Sequence, residues 1–405
     1  MRIRAFQGLR PTRKSVENVA SRPYDVVTAG EAREVAESNP MSLIRVIRPE
    51  VDFPPGTNPY ADPVYRKAGE NIARLQSEGH LVREESPTVY VYRLKSGDHT
   101  QTGIAALCHA ADYDDDKIKK HENTRPEKEA DRTRLTDELG ANTGPIFMTY
   151  RDDSKIDRLV SGVTSGPPLF DFSSEDCVRH TVWRIPGGQT LIDAFRAVPH
   201  FYVADGHHRT ASAARVARRR RAANPRHTGA EDYNWFLCVN FPASQLRILP
   251  YNRIIKDLNG LSPSELLEAI KRVCDVEPTD NPNPGGSREA CLYVDRKWHR
   301  LRFEPSSESD PVARLDMSIL QDTVFAPILG IEDQSTSDRI DFVGGIRGTD
   351  HLAAQVDSGE AAVAFSLNAV KVEQLMDIAD SGRNMPTKTT WFEPKLRSGL
   401  FIHTF

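Results

Sequence analysis

Two neighbouring apolar stretches predict a β-hairpin in the first third of the chain. The segments "TVYVYRL" (88–94) and "QTGIAALCHA" (101–110) are rich in β-branched and aromatic residues, and the turn-forming "KSGDH" joins them. The alternation of "SLIRVIRP" (42–49) predicts a further strand, and "VYRKAGENIARLQSEG" (64–79) predicts a helix that ends at Gly79. Because strands and helices are interspersed, the pattern indicates a mixed α/β (α+β) fold.

The segment "FYVADGHHRTASAARVARRRR" (201–221) joins a buried strand to a helix through a polar cluster. "FYVA" has the composition of a buried strand, Asp205-Gly206 suits a turn, and the alanine-rich run from Thr210 predicts a helix. The amides at a helix start and the helix dipole attract anions, and Gly206 lets a ligand approach the backbone. The alternative is that Asp205 only caps the helix and the histidines pack against loops.

Each side chain of this D-G-H-H-R box has a use in phosphate chemistry. Arg209 can hold a phosphate through two parallel hydrogen bonds, and His207 and His208 can donate to phosphate oxygens or move protons. Asp205 can orient a histidine, hold Mg²⁺ or accept a hydroxyl proton. The box therefore predicts a polyphosphate site, whereas a zinc site is disfavoured because the chain has no H-x-x-x-H pair.

The stretch "KIKKHENTRPEKEADRTRL" (117–135) is a second charged cluster. From Pro126 it predicts an exposed helix with opposite charges three residues apart, which accounts for 127–134. The preceding "KKHENTRP" gathers cations beside one carboxylate, Glu122, which could act as a general base in phosphoryl transfer. The neighbours that could offset charge or contact substrate are Lys119, Lys120, His121 and Arg125.

The stretch "MPTKTTWFEPKLRSGLFIH" (385–403) alternates cations with aromatic residues. Lys388 and Lys395 could contact a phosphate or the substrate. An equally weighted alternative is a terminal strand tied into the core by its aromatic side chains. A change of pattern near Asn259 predicts two domains, residues 1–258 with the box and residues 259–405, an α/β region whose tail could return to the site.

Composition narrows the class of protein. The 405 residues are 39% hydrophobic and 27% charged, which is usual for a soluble folded protein, and the net charge of −4 gives no general attraction to nucleic acid or membranes. No stretch reaches the ~20 apolar residues of a membrane span, and the start lacks a secretory signal. Five scattered cysteines suit a reducing compartment, so a cytoplasmic location is predicted.

The run Arg218–Arg221 predicts a solvated helix end, with a nucleic-acid patch as the minority interpretation.

With these residues in view, the chain resembles a bacterial and archaeal family catalogued as a domain of unknown function. The matching stretches extend from "RPYDVV" (22–27) and "NPMSLIRVIRPE" (39–50) to the 385–403 segment. They also include "IKKHENTRPEKEADRTRL" (118–135), "GPIFMTYRD" (144–152) and "YVADGHHRTASA" (202–213). The box also resembles that of the ParB/sulfiredoxin-like fold, notably the free serine kinases, which make O-phosphoserine from L-serine with ATP or ADP.

The resemblance implies a ParB/sulfiredoxin-like core with a C-terminal α/β region, a small-molecule kinase activity, and Mg²⁺ with the nucleotide. Carried over residue by residue, Asp205 to Arg209 match the nucleotide-phosphate box, followed by Thr210, and Glu122 matches the kinase glutamate. About 80 residues separate Glu122 from the box, more than in the compact kinases. His207 stands where sulfiredoxin has its cysteine, which disfavours sulfinic-acid reduction. The rival hypothesis is a nucleotide-binding, ParB-like switch associated with nucleic acid; a homodimer stays open.

Overall fold

The computed structural model describes residues 1–304 and 309–405, which divide into two compact units. Unit 1 comprises residues 1–120, 124–246 and 394–405, and unit 2 comprises residues 121–123 and 247–393. The predicted boundary between residues 258 and 259 falls inside unit 2, and the division into independent domains stays a prediction.

Unit 1 is built on a nine-stranded sheet with helices around it. Its strands before the tail are β1 Ile3–Arg4, β2 Leu9–Pro11, β3 Leu81–Arg83, β4 Thr88–Ser96, β5 His99–His109, β6 Ile118–Lys119, β7 Ala141–Asn142, β8 Ile146–Tyr150, β9 Phe170–Ser173, β10 Arg179–Pro186, β11 Phe201–Asp205 and β12 Trp235–Pro242. Its helices are α1 Val16–Val19, α2 Ala29–Ser38, α3 Ile44–Ile47, α4 Asp62–Ser77, α5 Ala110–Asp114, α6 Pro126–Leu139, α7 Ser154–Thr164, α8 Gln189–Phe195 and α9 His207–Ala223. The strand order is β6-β11-β8-β12-β5-β4-β10-β9, and β1 also pairs with β5.

Unit 2 contains a six-stranded antiparallel sheet in the order β15-β17-β16-β19-β14-β18. Its strands are β13 Ile248–Leu249, β14 Tyr251–Ile255, β15 Asp275–Pro278, β16 Glu289–Val294, β17 Lys297–Arg302, β18 Ile340–Gly344, β19 Val363–Ser366 and β20 Trp391–Phe392. Its helices are α10 Pro263–Ile270, α11 Asp316–Leu320, α12 Gly348–Asp357 and α13 Val372–Asp380. The mixed α/β class predicted from the sequence is confirmed. Across the described residues, every helix is too short or too polar to span a bilayer.

The predicted hairpin is confirmed as β4 and β5, which pair antiparallel from Tyr90↔Ala105 to Ser96↔His99. The predicted strand at 42–49 is wrong, because residues 44–47 form the short helix α3. One helical turn brings Ile44, Val46 and Ile47 into a single apolar cluster, whereas a strand would split them between two faces. The Ser42 hydroxyl accepts from the Ile44 N–H at 3.2 Å and so stabilises the turn.

The last residues of unit 1 pack back onto its earlier parts. Strand β21, His403–Thr404, pairs with β7, and the backbone of Ile402 exchanges two hydrogen bonds with that of Leu9. The Phe401 ring lies 4.7 Å from that of Tyr90. The buried Arg397 donates to Asp176 at 2.5 Å. The tail is therefore an integral part of unit 1.

The sheet places three chain segments at one edge beside the D-G-H-H-R box. Strand β11 runs parallel to β6, with Tyr202 opposite Lys119, so Lys119 and Asp205 lie towards the same edge. Strand β8 runs antiparallel to β11, with Phe147 opposite Asp205, so the loop before β8 reaches that edge as well. The box is thus flanked by the end of one strand and the start of another.

Candidate functional site

The box lies at the junction of β11 and α9. Asp205 ends the strand, Gly206 has φ +96°, and the helix begins at His207. The sequence predicted that the helix begins at Thr210. The observed start at His207 means that both histidines and Arg209 belong to the first turn. The positive end of the helix dipole therefore lies among the predicted phosphate-binding residues.

Arg209 is folded back over Gly206. Its guanidinium donates to the Pro145 carbonyl at 2.6 Å and to Asp205 Oδ2 at 3.1 Å. A Cβ on residue 206 would lie 3.0 Å from the Arg209 Nε. That Nε is buried and has no hydrogen-bond partner among the described residues. A buried donor of this kind is uncommon and calls for an acceptor.

Asp205 lies between two cations. Besides Arg209, the Lys395 ammonium lies 3.6 Å from Asp205 Oδ1. The structure thus brings Lys395 of the tail to the box, as the sequence analysis proposed. Two neighbouring positive charges make Asp205 a poor ligand for a magnesium ion, and its predicted magnesium role stays a prediction.

His207 is buried, with 6% of its surface exposed, and burial lowers its pKa to about 4, which the Asp205 carboxylate opposes. The ring is therefore neutral near pH 7. It can donate or accept one hydrogen bond without bringing a positive charge to the site. A role for His207 as a cationic phosphate ligand is disfavoured.

The side chain of His208 contacts the backbone of Arg125. The Arg125 N–H donates to His208 Nε2 at 3.0 Å, which requires that nitrogen to be unprotonated. His208 thereby anchors the start of α6 to the first turn of α9. The contact brings the backbone of Arg125 to the box, whereas the guanidinium of Arg125 is not involved.

Three other predicted phosphate ligands use their polar groups elsewhere. The ammonium groups of Lys119 and Lys120 lie 2.7 Å and 3.7 Å from Asp116. The Thr210 hydroxyl donates to the Gly206 carbonyl at 3.0 Å, as many helical threonines do. Their roles in phosphate binding stay predictions.

His121, Glu122 and Lys388 belong to unit 2. The carbonyl of His121 accepts from the Met385 N–H at 2.7 Å, and His121 Nε2 lies 3.4 Å from the Thr390 hydroxyl. The Lys388 ammonium lies 5.8 Å from the Tyr251 ring centre, within range of a cation–π contact. The segment holding Glu122 is therefore fixed against residues 384–390 of the same unit.

Sequence reasoning missed several residues around Arg209. A cavity of about 40 Å³ in unit 1 is lined in part by Tyr24, Arg132, Gly144, Arg209 and Ser398. Gly144 permits a close approach, since a Cβ there would lie 2.7 Å from the Ser398 hydroxyl. The segments "RPYDVV" (22–27) and "NTGPIF" (142–147) carry no specific motif of their own, so their meeting at Arg209 was not predictable.

Three arginines of the run Arg218–Arg221 pair with two carboxylates of unit 1. Arg218 lies 2.5 Å from Asp114, Arg219 lies 3.5 Å from Asp137, and Arg220 lies 2.9 Å from the same carboxylate. The Arg220 guanidinium also stacks on Phe405 at 4.8 Å. Two carboxylates thus face three of the four arginines, and the run keeps part of its positive charge, as expected of a solvated helix end.

Three buried histidines of unit 1 predict a loss of stability in mild acid. Burial lowers the pKa of His180 to about 3 and of His207 and His403 to about 4, from 6.5. Between pH 6.5 and 4 the unfolded chain binds more protons than the folded one, so the free energy of unfolding should fall as the pH falls. Urea titrations across this range test it. The decline should be shallower in His403→Asn, and an unchanged slope would contradict this account.

A family model described as a protein of unknown function (DUF1015) matches residues 3–318. The chain belongs to the DUF1015 family. This confirms the family predicted from the sequence, and the match spans the whole D-G-H-H-R box of this DUF1015 member. No curated protein matches it.

Among solved structures, this DUF1015 chain is similar to a conserved hypothetical protein from Pyrococcus furiosus, at 14% identity and a TM-score of 0.38, covering 73% of this chain and 94% of the other. It is similar to a free serine kinase in complex with AMP, at 14% identity and a TM-score of 0.39, covering 73% and 92%. A C-terminally truncated SbnI from Staphylococcus aureus gives 12% identity and a TM-score of 0.41, covering 74% and 87%. At these TM-scores the likenesses carry no argument about function.

Proposed function

We propose that the chain is a phosphotransferase that uses ATP or ADP to phosphorylate the hydroxyl of free L-serine or a similar small amino acid. The product is O-phosphoserine or its analogue. The observation that carries the proposal is that the buried Arg209 Nε, in the first turn of a long helix, has no acceptor among the described residues. A phosphate oxygen would satisfy that donor and the helix dipole together.

Positioning and charge neutralisation are the main demands of phosphoryl transfer. In this proposal Gly206, His208 and Arg209 hold the nucleotide phosphates. Asp205 orients the Arg209 fork and the Lys395 ammonium, which its two contacts support. Neutral His207 offers a hydrogen bond to a phosphate oxygen, and Mg²⁺ enters as the counter-ion of the nucleotide.

The proposed general base is Glu122, assigned by the resemblance of "HE" to the free serine kinases. Its carboxylate takes the proton of the acceptor hydroxyl while the oxygen bonds to the terminal phosphorus. The bond from phosphorus to the bridging oxygen breaks, and the departing ADP or AMP keeps the electron pair. Lys119, Lys120 and Arg125 are proposed to offset the developing charge.

The full-length protein, incubated with Mg²⁺ and either ATP or ADP in a pool of the standard L-amino acids, tests the proposal. Mass spectrometry should detect one phosphorylated amino acid, and comparison of the two nucleotides identifies the donor. Absence of any phosphorylated amino acid with both donors would contradict the proposed reaction. Absence of nucleotide binding as well would remove the phosphate site.

Gly206→Ala is expected to weaken nucleotide binding beyond its effect on stability. Alanine at φ +96° should cost about 1–2 kcal/mol, and the new Cβ would displace the Arg209 guanidinium. Gly229→Ala is the matched control, because Gly229 has φ +92° and nothing within 4 Å of an added Cβ. Urea unfolding should show similar losses in both variants, whereas nucleotide affinity should fall only in Gly206→Ala. Equal affinities in the two variants would contradict the role of Arg209.

A further inference from the structure

Unit 2 contains a cavity that the proposed phosphotransfer does not use. Its volume is about 390 Å³, within the range of pockets that bind small molecules. Leu315, Met317 and Leu367 give part of the wall an apolar character. Arg253, Asp316 and Lys371 give the rest its charge, so the cavity combines an apolar surface with opposite charges.

Arg253, in the wall of this cavity, is a cation that forms no ion pair with a described carboxylate. The residue is fully buried on β14, and its guanidinium donates to Gln334 at 2.8 Å and to the carbonyls of Tyr251 and Thr387 at 2.7 Å and 3.0 Å. No described carboxylate forms an ion pair with it. Burial lowers its pKa to about 9. Neutral hydrogen-bond acceptors and the Phe342 ring, 4.5 Å away, thus hold the cation, and no described carboxylate balances its charge.

Asp316 in the same wall is a carboxylate without an ion pair among the described residues. It accepts hydrogen bonds from the Arg288 N–H at 2.7 Å and from the Asn368 amide at 3.1 Å. The guanidinium of Arg288 donates instead to the carbonyls of Phe303 and Glu304. Burial raises the pKa of Asp316, and its hydrogen bonds and the Arg288 charge oppose this rise only in part, so a further cation beside it would stabilise the ionised form.

A ligand with both charges satisfies these two groups better than an ion of either sign. A simple anion would be attracted by Arg253 but repelled by Asp316. A simple cation would be attracted by Asp316 but repelled by Arg253. The exposed Lys371 adds a further positive charge, which solvent screens. A molecule that carries both a carboxylate and an ammonium group matches this pair of opposite charges.

We propose that this cavity binds a small zwitterion of the α-amino-acid class, with its carboxylate towards Arg253 and its ammonium group towards Asp316. The apolar wall from Leu315 to Leu367 receives the side chain of the ligand. The site is built from residues of unit 2 alone, and its existence does not depend on the phosphotransfer proposed above.

Calorimetry on the full-length protein, with each standard L-amino acid in the absence of nucleotide, tests this inference. At least one amino acid should bind, and about tenfold more tightly than its two analogues that lack the amino or the carboxylate group. For alanine, for example, these analogues are propionate and ethylamine. Absence of binding by every amino acid, or equal binding by an analogue, would overturn the proposal.

Substitutions separate this cavity from the box. Asp316→Asn keeps the shape of the side chain but removes its charge, and it should weaken binding of the best amino acid about tenfold. Arg253→Lys should have a similar effect, because lysine lacks the two parallel N–H donors of the guanidinium. Arg339→Gln is the control, since Arg339 forms an exposed pair with Asp257 in the same unit. Arg209→Gln should leave amino-acid binding unchanged even if it removes nucleotide binding. Wild-type affinity in Asp316→Asn, the variant that retains the fold most readily, would overturn the proposal whatever the kinase assay gives.

Discussion

Glu122→Gln is expected to lower kcat by about 10²–10⁴-fold while the Kd for ATP or ADP stays unchanged. Glutamine has nearly the same shape as glutamate but cannot accept the proton of the acceptor hydroxyl. The loss should therefore appear in turnover and not in nucleotide binding. Single-turnover kinetics with the preferred amino acid, together with calorimetry for the nucleotide, measure the two quantities separately.

Glu127→Gln is the matched control for Glu122. Glu127 is an exposed glutamate in the first turn of α6, five residues further along, and it should tolerate the change with wild-type kinetics. Near wild-type turnover in Glu122→Gln would remove this carboxylate from the mechanism. The nucleotide site at Arg209 would be unaffected by that result.

Arg209→Gln is expected to raise the Kd for ATP and ADP by about 10–100-fold. A hydrogen bond to a charged group contributes about 1.5–3 kcal/mol. The buried Nε of Arg209 has no acceptor among the described residues and is therefore available to a phosphate oxygen. Arg209→Lys should not restore affinity, because an ammonium group cannot reproduce the planar fork. Calorimetric titration of each variant with ADP measures the effect.

Arg215→Gln is the control on the same helix. Arg215 is 49% exposed and lies 3.1 Å from Glu129, so its loss should change nucleotide affinity little. Circular dichroism should show that both variants fold. If Arg209→Gln and Arg215→Gln bind ADP equally well, the first turn of α9 is not a phosphate site.

The sequence predicts the D-G-H-H-R box because its chemistry is contiguous. Its five residues are consecutive in the sequence and lie where a predicted strand meets a predicted helix. The structure places Asp205, Gly206 and Arg209 in contact there. Lys395 was only one of several candidates in the tail. Its position 3.6 Å from Asp205 depends on a long-range return of the chain that no local pattern records.

Local patterns also failed where tertiary contacts decide. "SLIRVIRP" has the composition of a strand, yet Ile44 to Ile47 form one helical turn whose apolar side chains are all buried in the same cluster, so tertiary contacts override the local preference. The contacts of Lys119 and Lys120 with Asp116 were not predicted either, and their role as phosphate ligands stays a prediction. Charge in a sequence does not reveal which neighbour it meets.

The return of residues 394–405 to unit 1 has a consequence for how the protein is made. The strand at His403–Thr404, the Arg397 ion pair and the Lys395 contact with Asp205 all require residues that leave the ribosome after the whole of unit 2. Unit 2 can close around its core during synthesis, since residues 247–393 emerge as one stretch and residues 121–123 have been made before it. Unit 1 can form its nine-stranded sheet from earlier residues, but the pairing of β21 with β7 and the contacts of Arg397 and Lys395 must wait until residues 394–405 have been made. A nascent chain stalled before Pro394 would therefore lack these contacts, and its unit 1 should be more sensitive to proteases than in the finished protein.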